Sequence, residues 1–199
     1  MKLREKFSML EHTGPNWIRL MVRGSSMLLI GLGLVAGTVF KHDVIIFQVR
    51  DFSWLPVCGF VVLVIGLLEC FDAFMAEELG DFFLNLQMGV LDVVVAGLII
   101  LSIGGDPARL SLLISAFLIV KGIFRITLAY VTQLPNIVST SLGAVVSIIL
   151  GLLIWLGWPS PAGWFLAFCL SAEIGLRGWA LMMFGFWIKS QKERELLDY

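Results

Sequence analysis

The chain has 199 residues, of which 59% are apolar and 15% are charged, and its net charge is −1. An ordinary soluble domain is about 45–50% apolar and about 25% charged, so this composition excludes a soluble protein with a single core. The charge is close to neutral and the bases are concentrated at the two ends of the chain, which argues against nucleic acid as a partner. We therefore predict an all-α integral membrane protein.

Six apolar runs follow one another along the chain, each close to the roughly 20 residues that a helix needs to cross a bilayer. In chain order they are 21–40, 54–76, 82–103, 109–131, 137–156 and 162–188. Breaks that contain charged residues, Gly or Pro separate them, as at 77–81 and 104–107. A spanning segment must satisfy its own backbone hydrogen bonds, and none of the runs alternates as a barrel strand would. The runs therefore predict six transmembrane helices, with the membrane domain at 21–188.

The two ends of the chain are predicted to lie outside the bilayer. Within the N-terminal segment 1–20, residues 1–12 alternate apolar and charged side chains, a pattern that fits either an interfacial amphipathic helix or a frayed tail. Residues 189–199 are predicted to form a tail that extends the sixth helix. The first apolar run ends at Lys41 without a small-residue cleavage site, so we interpret it as a retained span and not as a signal peptide.

Orientation is predicted from Lys and Arg, which are enriched on the cytoplasmic side of membrane proteins. On the side of the N-terminus, the bases are Lys2, Arg4, Lys6, Arg19, Arg23, Lys189, Lys192 and Arg194. The opposite side has only Lys41, Arg50 and Arg109. We therefore predict that both termini are cytoplasmic, which agrees with an even number of spans.

Internal similarity divides the spans into three helical hairpins, at about 21–76, 82–131 and 137–188. The odd-numbered spans share small residues at four- or eight-residue spacing, which let helix backbones approach closely. The residues predicted to pack in this way are Gly33, Gly37, Gly89, Gly97, Gly143, Ser147 and Gly151. The even-numbered spans share two aligned positions four residues apart. These are Ile65, Lys121 and Glu173, followed by Glu69, Arg125 and Arg177. Three copies in one orientation predict an axis along the membrane normal.

Ionisable side chains inside the spans are the candidate functional residues, because a central charge costs about 2.5–3.5 kcal/mol by insertion scales. They are Glu69, Asp72, Asp92, Lys121, Arg125, Glu173 and Arg177. All of them unpaired would cost on the order of 20 kcal/mol, which exceeds the usual stability of a folded protein. We therefore expect acid–base pairs in two stacked layers. Glu173 and Arg177 have the spacing and order of a favourable pair within one helix.

This charge cluster has two interpretations. In the first, it is an ion-pair network that fixes how the hairpins meet. In the second, it is a proton relay or an ion pathway, which is the usual suspicion for carboxylates inside a membrane. The near balance of acids and bases favours the structural interpretation, and the sequence leaves both open.

Several motifs carry a family resemblance. Arg23-Gly24 opens the first span, and the last hairpin contains Leu142-Gly143, Gly151-Leu152-Leu153, Trp158-Pro159 and Glu173 to Arg177-Gly178. With these features the chain resembles the HdeD-like family of small bacterial inner-membrane proteins over nearly its whole length. The resemblance implies a multi-pass protein of the bacterial inner membrane associated with acid resistance, and it carries no catalytic motif. The chain departs from a simple repeat, since Lys121 and Glu173 stand where the first copy has Ile65.

We therefore expect a non-enzymatic inner-membrane protein of acid-stress resistance that acts through membrane assembly or partner contacts. The alternative is a small transporter or channel for protons, ions or another solute, built on the charge cluster. No H-E-x-x-H, G-x-S-x-G or P-loop motif predicts a catalytic residue. Both histidines lie outside the spans, and Cys58, Cys70 and Cys169 lie in apolar runs without a C-x-x-C pair, so neither a metal site nor a cofactor is predicted. The lipid bilayer is the predicted partner. A second copy or another membrane protein is left open as a further partner, and a small ligand is not identified by the sequence.

Overall fold

A computed structural model describes residues 17–40, 54–75, 79–102, 107–131, 137–157 and 163–197. Within these ranges the chain forms six α-helices and no strand. They are α1 (Trp17–Phe40), α2 (Leu55–Phe74), α3 (Leu79–Ser102), α4 (Pro107–Val131), α5 (Ile137–Trp155) and α6 (Gly163–Leu197). The predicted amphipathic segment at 1–12 lies outside the described residues.

Five of these helices, all except α5, are long and apolar enough to cross a membrane. The apolar stretch of α5, Ser141–Trp155, is shorter. Large apolar side chains such as Leu101 and Phe40 are more than four-fifths exposed, at 84% and 83%. Such exposure is expected where the surrounding medium is lipid and the backbone groups are paired within helices. The chain has the architecture of a multi-pass membrane protein.

The helix ends follow from Pro and Gly. Pro107 begins α4, and Pro56 lies in the first turn of α2. Proline has no backbone N–H, and at these positions an N–H would have no carbonyl to bond within the helix. After α5, Gly157 has a φ of 69°, and its N–H donates to the Ile154 carbonyl at 3.0 Å. A residue of this conformation satisfies a carbonyl that the helix end would otherwise leave free.

Several helices extend beyond the predicted runs. α1 begins at Trp17, within the predicted N-terminal segment, and α4 begins at Pro107. α3 begins at Leu79, so Gly80 and Asp81 lie in its first turn and not in the break assigned to them. α6 continues to Leu197 and includes most of the predicted tail. A helix can continue past the apolar run, because its backbone bonds do not depend on lipid and its polar end can project into water.

The helices pack most extensively in the pairs α1 with α6, α2 with α3, and α4 with α5. α6 also packs against α5, α2 and α4, and α3 packs against α4. By contrast, α1 and α2 are consecutive in the chain but do not form a packed pair. The closest partner of each even-numbered helix is thus an odd-numbered helix from a different predicted hairpin.

Glycines let the backbones approach in the α1–α6 pair. A Cβ on Gly31 would lie 2.6 Å from the Gly175 Cα, and a Cβ on Gly178 would meet the backbone of Leu28 and Gly24. Only residues without a side chain allow so close a contact between two helices. These glycines were not among the predicted packing residues. Gly24 and Gly31 of α1 are seven residues apart, and Gly175 and Gly178 belong to an even-numbered span, in which the small-residue pattern was not expected.

The same kind of contact occurs in the other two pairs. A Cβ on Gly66 of α2 would lie 3.0 Å from the Gly89 carbonyl oxygen of α3. In the α4–α5 pair, a Cβ on Gly151 would lie 3.0 Å from the Ser115 carbonyl oxygen. Gly89 and Gly151 therefore lie where the small-residue pattern predicts close packing.

The remaining predicted packing residues are less uniform. Gly37 faces the ring of Trp54, and Gly143 makes only ordinary contact, 3.8 Å from a Cβ position to the Leu176 Cβ. At Gly33 and Gly97, a Cβ would meet no described atom within 4 Å, so the described helices make no close contact at these two positions. Spacing along one helix identifies a face, but it does not tell whether that face meets a neighbour or lipid.

The apolar core is concentrated in the N-terminal halves of α2, α4 and α6. Its fully buried members include Leu55, Ile114, Leu118, Leu166 and Leu170. All of them precede the first buried charged residue of their helix, which is Glu69, Lys121 or Glu173. The interior is therefore divided along the bundle into an apolar half and a charged half.

Candidate functional site: a series of eight paired charges

One continuous series of contacts joins all seven ionisable residues that were predicted inside the spans, together with Arg23 of α1. In order of contact the series is Asp72, Arg23, Glu69, Arg177, Asp92, Lys121, Glu173 and Arg125. Acids and bases alternate along it from one end to the other. Because each inner member has an opposite charge on both sides, no described charge in the series has to be buried alone.

The exposed end of the series lies between α1 and α2. Arg23 Nη1 donates to Asp72 Oδ2, and Arg23 Nη2 lies 3.8 Å from Glu69 Oε1. The side chains of Arg23 and Asp72 are 31% and 44% exposed, whereas that of Glu69 is 10% exposed. This end is therefore open to the surroundings of the protein.

Arg177 of α6 links two helices at the centre of the series. Its Nη1 donates to Asp92 Oδ2 of α3 at 2.6 Å, and its Nη2 forms an ion pair with Glu69 Oε1 of α2. A guanidinium group presents several donors in one plane, so a single Arg can hold two carboxylates at once. The side chain of Arg177 thereby connects α2, α3 and α6.

The pair of Asp92 and Lys121 is the most deeply buried. Lys121 Nζ donates to both carboxylate oxygens of Asp92, at 2.8 and 3.1 Å. The Asp92 side chain is completely buried and that of Lys121 is 4% exposed. The ammonium group also lies 4.8 Å from the centre of the Phe117 ring, a cation–π distance.

At the buried end of the series, Glu173 of α6 contacts side chains of α4 and α5. Its Oε1 lies 2.8 Å from Arg125 Nη2 and 3.8 Å from Lys121 Nζ. The Arg125 N–H does not point at that oxygen, so this contact is coulombic and is not a hydrogen bond. The single hydroxyl proton of Ser147 in α5 is shared between Glu173 Oε2 and the Gly143 carbonyl oxygen. Through Ser147, α5 is joined to the same series as the other five helices.

The pairing differs from the predicted arrangement. The charges form one continuous series and not two separate layers, since Arg125 contacts Glu173 and Arg177 contacts both Glu69 and Asp92. The spacing favours a pair between Glu173 and Arg177 on α6, but each of these residues is paired to other helices. Glu173 lies between the two bases of α4, and the Arg177 guanidinium reaches the carboxylates of α2 and α3. Neighbouring helices supply partners that a pattern along one helix does not reveal.

Arg23 was not predicted to belong to the charge cluster. The sequence analysis counted it among the bases on the side of the membrane where the N-terminus lies. Two signals pointed to it. It lies inside the first apolar run, and it supplies the fourth base that balances four acids. Its depth in α1 places it at the level of the last turn of α2, where Glu69 and Asp72 lie.

A small cavity of about 10 Å³ lies at the centre of the series. Asp92, Lys121, Glu173 and Arg177 contribute its polar lining, and Val62, Ile65 and Ile174 complete its wall. This space suits about one water molecule with several polar partners. A water there would bridge Lys121 and Glu173, whose charged atoms are too far apart for a direct hydrogen bond.

The cysteines take no part in this site. Cys58 and Cys169 are buried in the apolar half, Cys70 is partly buried, and all three are free thiols. Cys58 Sγ lies 3.3 Å from Ser171 Oγ. Among the described residues, no group of three His, Cys, Asp or Glu side chains is placed to hold a metal ion.

Comparison of the chain with family models, with curated proteins and with solved structures finds no match.

Proposed function

We propose that this chain is a non-enzymatic membrane protein in which the eight-charge series holds the six helices in a single arrangement, and which acts through membrane assembly or partner contacts. The observation that carries the proposal is the alternation of acid and base along the series. A pathway for protons or ions needs a group that changes its partner or its charge. Here every charge of the series already has an opposite partner.

The apolar half of the interior supports the same proposal. Beyond the level of Lys121 and Glu173, the only charged residue in the described helices is Arg109, which is exposed near the start of α4. Most buried side chains there are apolar, such as Leu118 and Leu170. The buried hydroxyls in this half donate to carbonyls of their own helices, as those of Thr38, Ser115 and Ser171 do. An ion crossing this half would lose its hydration and meet no charged partner among the described buried residues.

The helix pairs support an arrangement of three similar hairpins. If hairpins α1–α2, α3–α4 and α5–α6 surround an axis, the even helix of each copy meets the odd helix of the next. The extensive pairs α2 with α3, α4 with α5, and α6 with α1 are those that such a ring requires. With six spans, both termini lie on one side, and the distribution of Lys and Arg favours the cytoplasm.

The cellular setting of the proposal rests on the resemblance to the HdeD-like family. That resemblance supports a bacterial inner membrane and a role in acid-stress resistance. A protein with short connections and a buried, fully paired charge series has few exposed groups for chemistry. Contacts with lipid, with further copies or with another membrane protein fit it better than an enzymatic role.

A second candidate function is a proton or ion pathway, and two observations favour it. The cavity at the centre has room for a water between acids and bases, and the series reaches the surface at Arg23 and Asp72. Water and carboxylates in contact are the parts from which proton relays are built. This candidate requires a further rearrangement that opens the apolar half.

Proton flux into liposomes separates the two candidates. Purified protein is reconstituted with an internal pH dye, the outside is acidified, and empty liposomes and the Glu173→Gln variant are measured in parallel. We expect the protein to add no flux over empty liposomes, with circular dichroism showing that it is helical. Flux that Glu173→Gln abolishes, while the variant keeps its helicity, would overturn the structural proposal in favour of the pathway.

A further inference from the structure

A groove of about 410 Å³ lies between α1 and α2, where these two helices do not pack against each other. This volume falls in the range of sites that hold small ligands. Its wall is apolar and includes Ile30, Phe60, Val64 and Leu68, whereas Arg23 and Asp72 lie at its polar end. The groove opens to the outside of the bundle, where the described protein leaves these side chains exposed.

The apolar wall has the shape of a strip along α2. Phe60, Val64 and Leu68 are four residues apart, so they lie one above the other on one face. They are 61%, 38% and 52% exposed. From Phe60 to Asp72 the helix rises about 18 Å at 1.5 Å per residue. A strip of that length across the bilayer suits an extended acyl chain.

The polar end presents two opposite charges, Arg23 and Asp72, which pair with each other through Arg23 Nη1 and Asp72 Oδ2. Both side chains are partly exposed, and the guanidinium and the carboxylate each have further polar atoms beyond this contact. Asp72 lies two residues before the end of α2, the depth at which a span meets head groups. The guanidinium group donates hydrogen bonds, which favours phosphate, and the carboxylate accepts them, which favours an ammonium group. A head group that carries both a phosphate and a primary ammonium complements this pair.

We propose that the groove between α1 and α2 binds one phospholipid with a phosphoethanolamine head group, whose phosphate contacts Arg23, whose ammonium contacts Asp72 and whose acyl chain lies along Phe60, Val64 and Leu68. The lipid comes from the leaflet that surrounds the N-terminal end of α1. In contrast to α1 and α2, the helices of the other two predicted hairpins contact each other directly, α3 with α4 and α5 with α6. The site holds whether the charge series is structural or conductive.

Native mass spectrometry of the purified protein tests the head group. The protein is delipidated in detergent and titrated with phosphatidylethanolamine or phosphatidylcholine of identical acyl chains. Both lipids carry the phosphate and have the same net charge, but the choline ammonium has no N–H to donate. We expect about fivefold more retention of phosphatidylethanolamine, which corresponds to about 1 kcal/mol. Equal retention of the two lipids would overturn the assigned head-group contacts.

Two substitutions on the same helix test the groove. Val64→Trp places a large ring in the groove, and Leu67→Trp places the same ring on an exposed position of α2 that does not line it. We expect Val64→Trp to lower the retained lipid about fivefold and Leu67→Trp to leave it unchanged. If both variants lost the same amount of lipid, the retained lipid would be ordinary surrounding lipid, and the proposed site would be overturned. A dimer that Val64→Trp dissociates without changing lipid retention would assign the groove to a second copy and overturn the proposal.

Photo-crosslinking keeps the proposal testable if Val64→Trp does not fold. The unmodified protein is reconstituted with phosphatidylethanolamine that carries a diazirine on its acyl chain, and labelled peptides are located by mass spectrometry. We expect the label to concentrate on the groove residues Ile30, Phe60 and Val64. A label spread evenly over other exposed side chains, such as Leu98 of α3, would overturn the site.

Discussion

Lys121 of α4 and Asp92 of α3 form a buried pair whose two hydrogen bonds measure 2.8 and 3.1 Å. The pair joins two helices whose backbones pack less extensively than those of the pairs described above. In the part of the chain that the structure describes, neither side chain has appreciable contact with the surroundings. This buried, hydrogen-bonded ion pair is therefore the strongest single interaction between α3 and α4.

Lys121→Gln is expected to destabilise the protein strongly. It leaves Asp92 with Arg177 as its only basic partner in the described structure, and it leaves Glu173 with Arg125 alone. Breaking a buried ion pair by removing one partner costs about 3–5 kcal/mol in soluble proteins. Thermal unfolding in detergent measures the effect.

Arg109→Gln is the matched control for Lys121→Gln. It removes a base from the same helix, but Arg109 is exposed. Exposed substitutions usually change stability by about 0.5 kcal/mol or less. If both variants unfold at the temperature of the unmodified protein, the charge series does not hold the helices together.

Arg177→Lys is expected to be destabilising even though the charge is kept. The Arg177 guanidinium contacts Glu69 and Asp92 through two different nitrogens, whereas Lys has one. We expect the melting temperature of Arg177→Lys to lie between those of the unmodified protein and Arg177→Gln. A melting temperature equal to that of the unmodified protein would mean that one of the two contacts contributes nothing.

Gly31→Ala is expected to weaken the contact between α1 and α6. The added methyl would lie 2.6 Å from the Gly175 Cα and 3.1 Å from the Ser171 carbonyl oxygen, so the helices would have to separate. Gly33→Ala, two residues away on the same helix, meets open space. Because Ala is about 1 kcal/mol more favourable than Gly inside a helix, Gly33→Ala should be neutral or stabilising.

Thermal unfolding of the two glycine variants separates the effect of the α1–α6 contact from the effect of helix propensity. The change in helix propensity is the same in both, because each replaces a Gly of α1 by Ala. A lower melting temperature for Gly31→Ala alone is the expected result. Equal melting temperatures would contradict the close approach of α1 and α6 at this level.

Ser147→Ala is expected to cost about 1.5–3 kcal/mol, the usual range for a hydrogen bond to a charged group. The hydroxyl of Ser147 is the contact that joins α5 to Glu173. Ser111→Ala is the control, since among the described residues the Ser111 hydroxyl donates to the carbonyl of Ala108 one turn earlier, at an exposed position of α4. Limited proteolysis should cut α5 faster in Ser147→Ala than in Ser111→Ala, and equal rates would show that Ser147 does not anchor α5.

The helices were predictable because the bilayer imposes a length and a composition on each span. The described helices coincide with the six predicted runs to within a few residues, apart from the extension of α6. The helices are bounded by residues such as Pro107, which begins α4, and Gly157, which follows α5, and the backbone chemistry of both acts locally. Such signals depend on neighbours in the chain, so they can be read without knowing the fold.

The membership of the charge series was largely predictable, because a charge inside an apolar run must find a partner. Which charges meet was not predictable. Arg177 pairs with Glu69 and Asp92 and not with Glu173, and the base at the exposed end of the series, Arg23, was assigned to the membrane surface. These contacts depend on how the helices are rotated and which of them are neighbours.

The sequence by itself determined six apolar helices, their approximate ends and a set of ionisable residues that could not remain unpaired in a bilayer. Only the tertiary structure decided that α6 packs with α1, that Gly31 and not Gly33 lies at a helix contact, and that α1 and α2 leave a groove between them. The physical reason is that lipid and protein are both apolar partners for a helix face. Hydrophobicity therefore indicates that a segment enters the membrane, and close packing of small side chains together with paired charges decides which helix it meets.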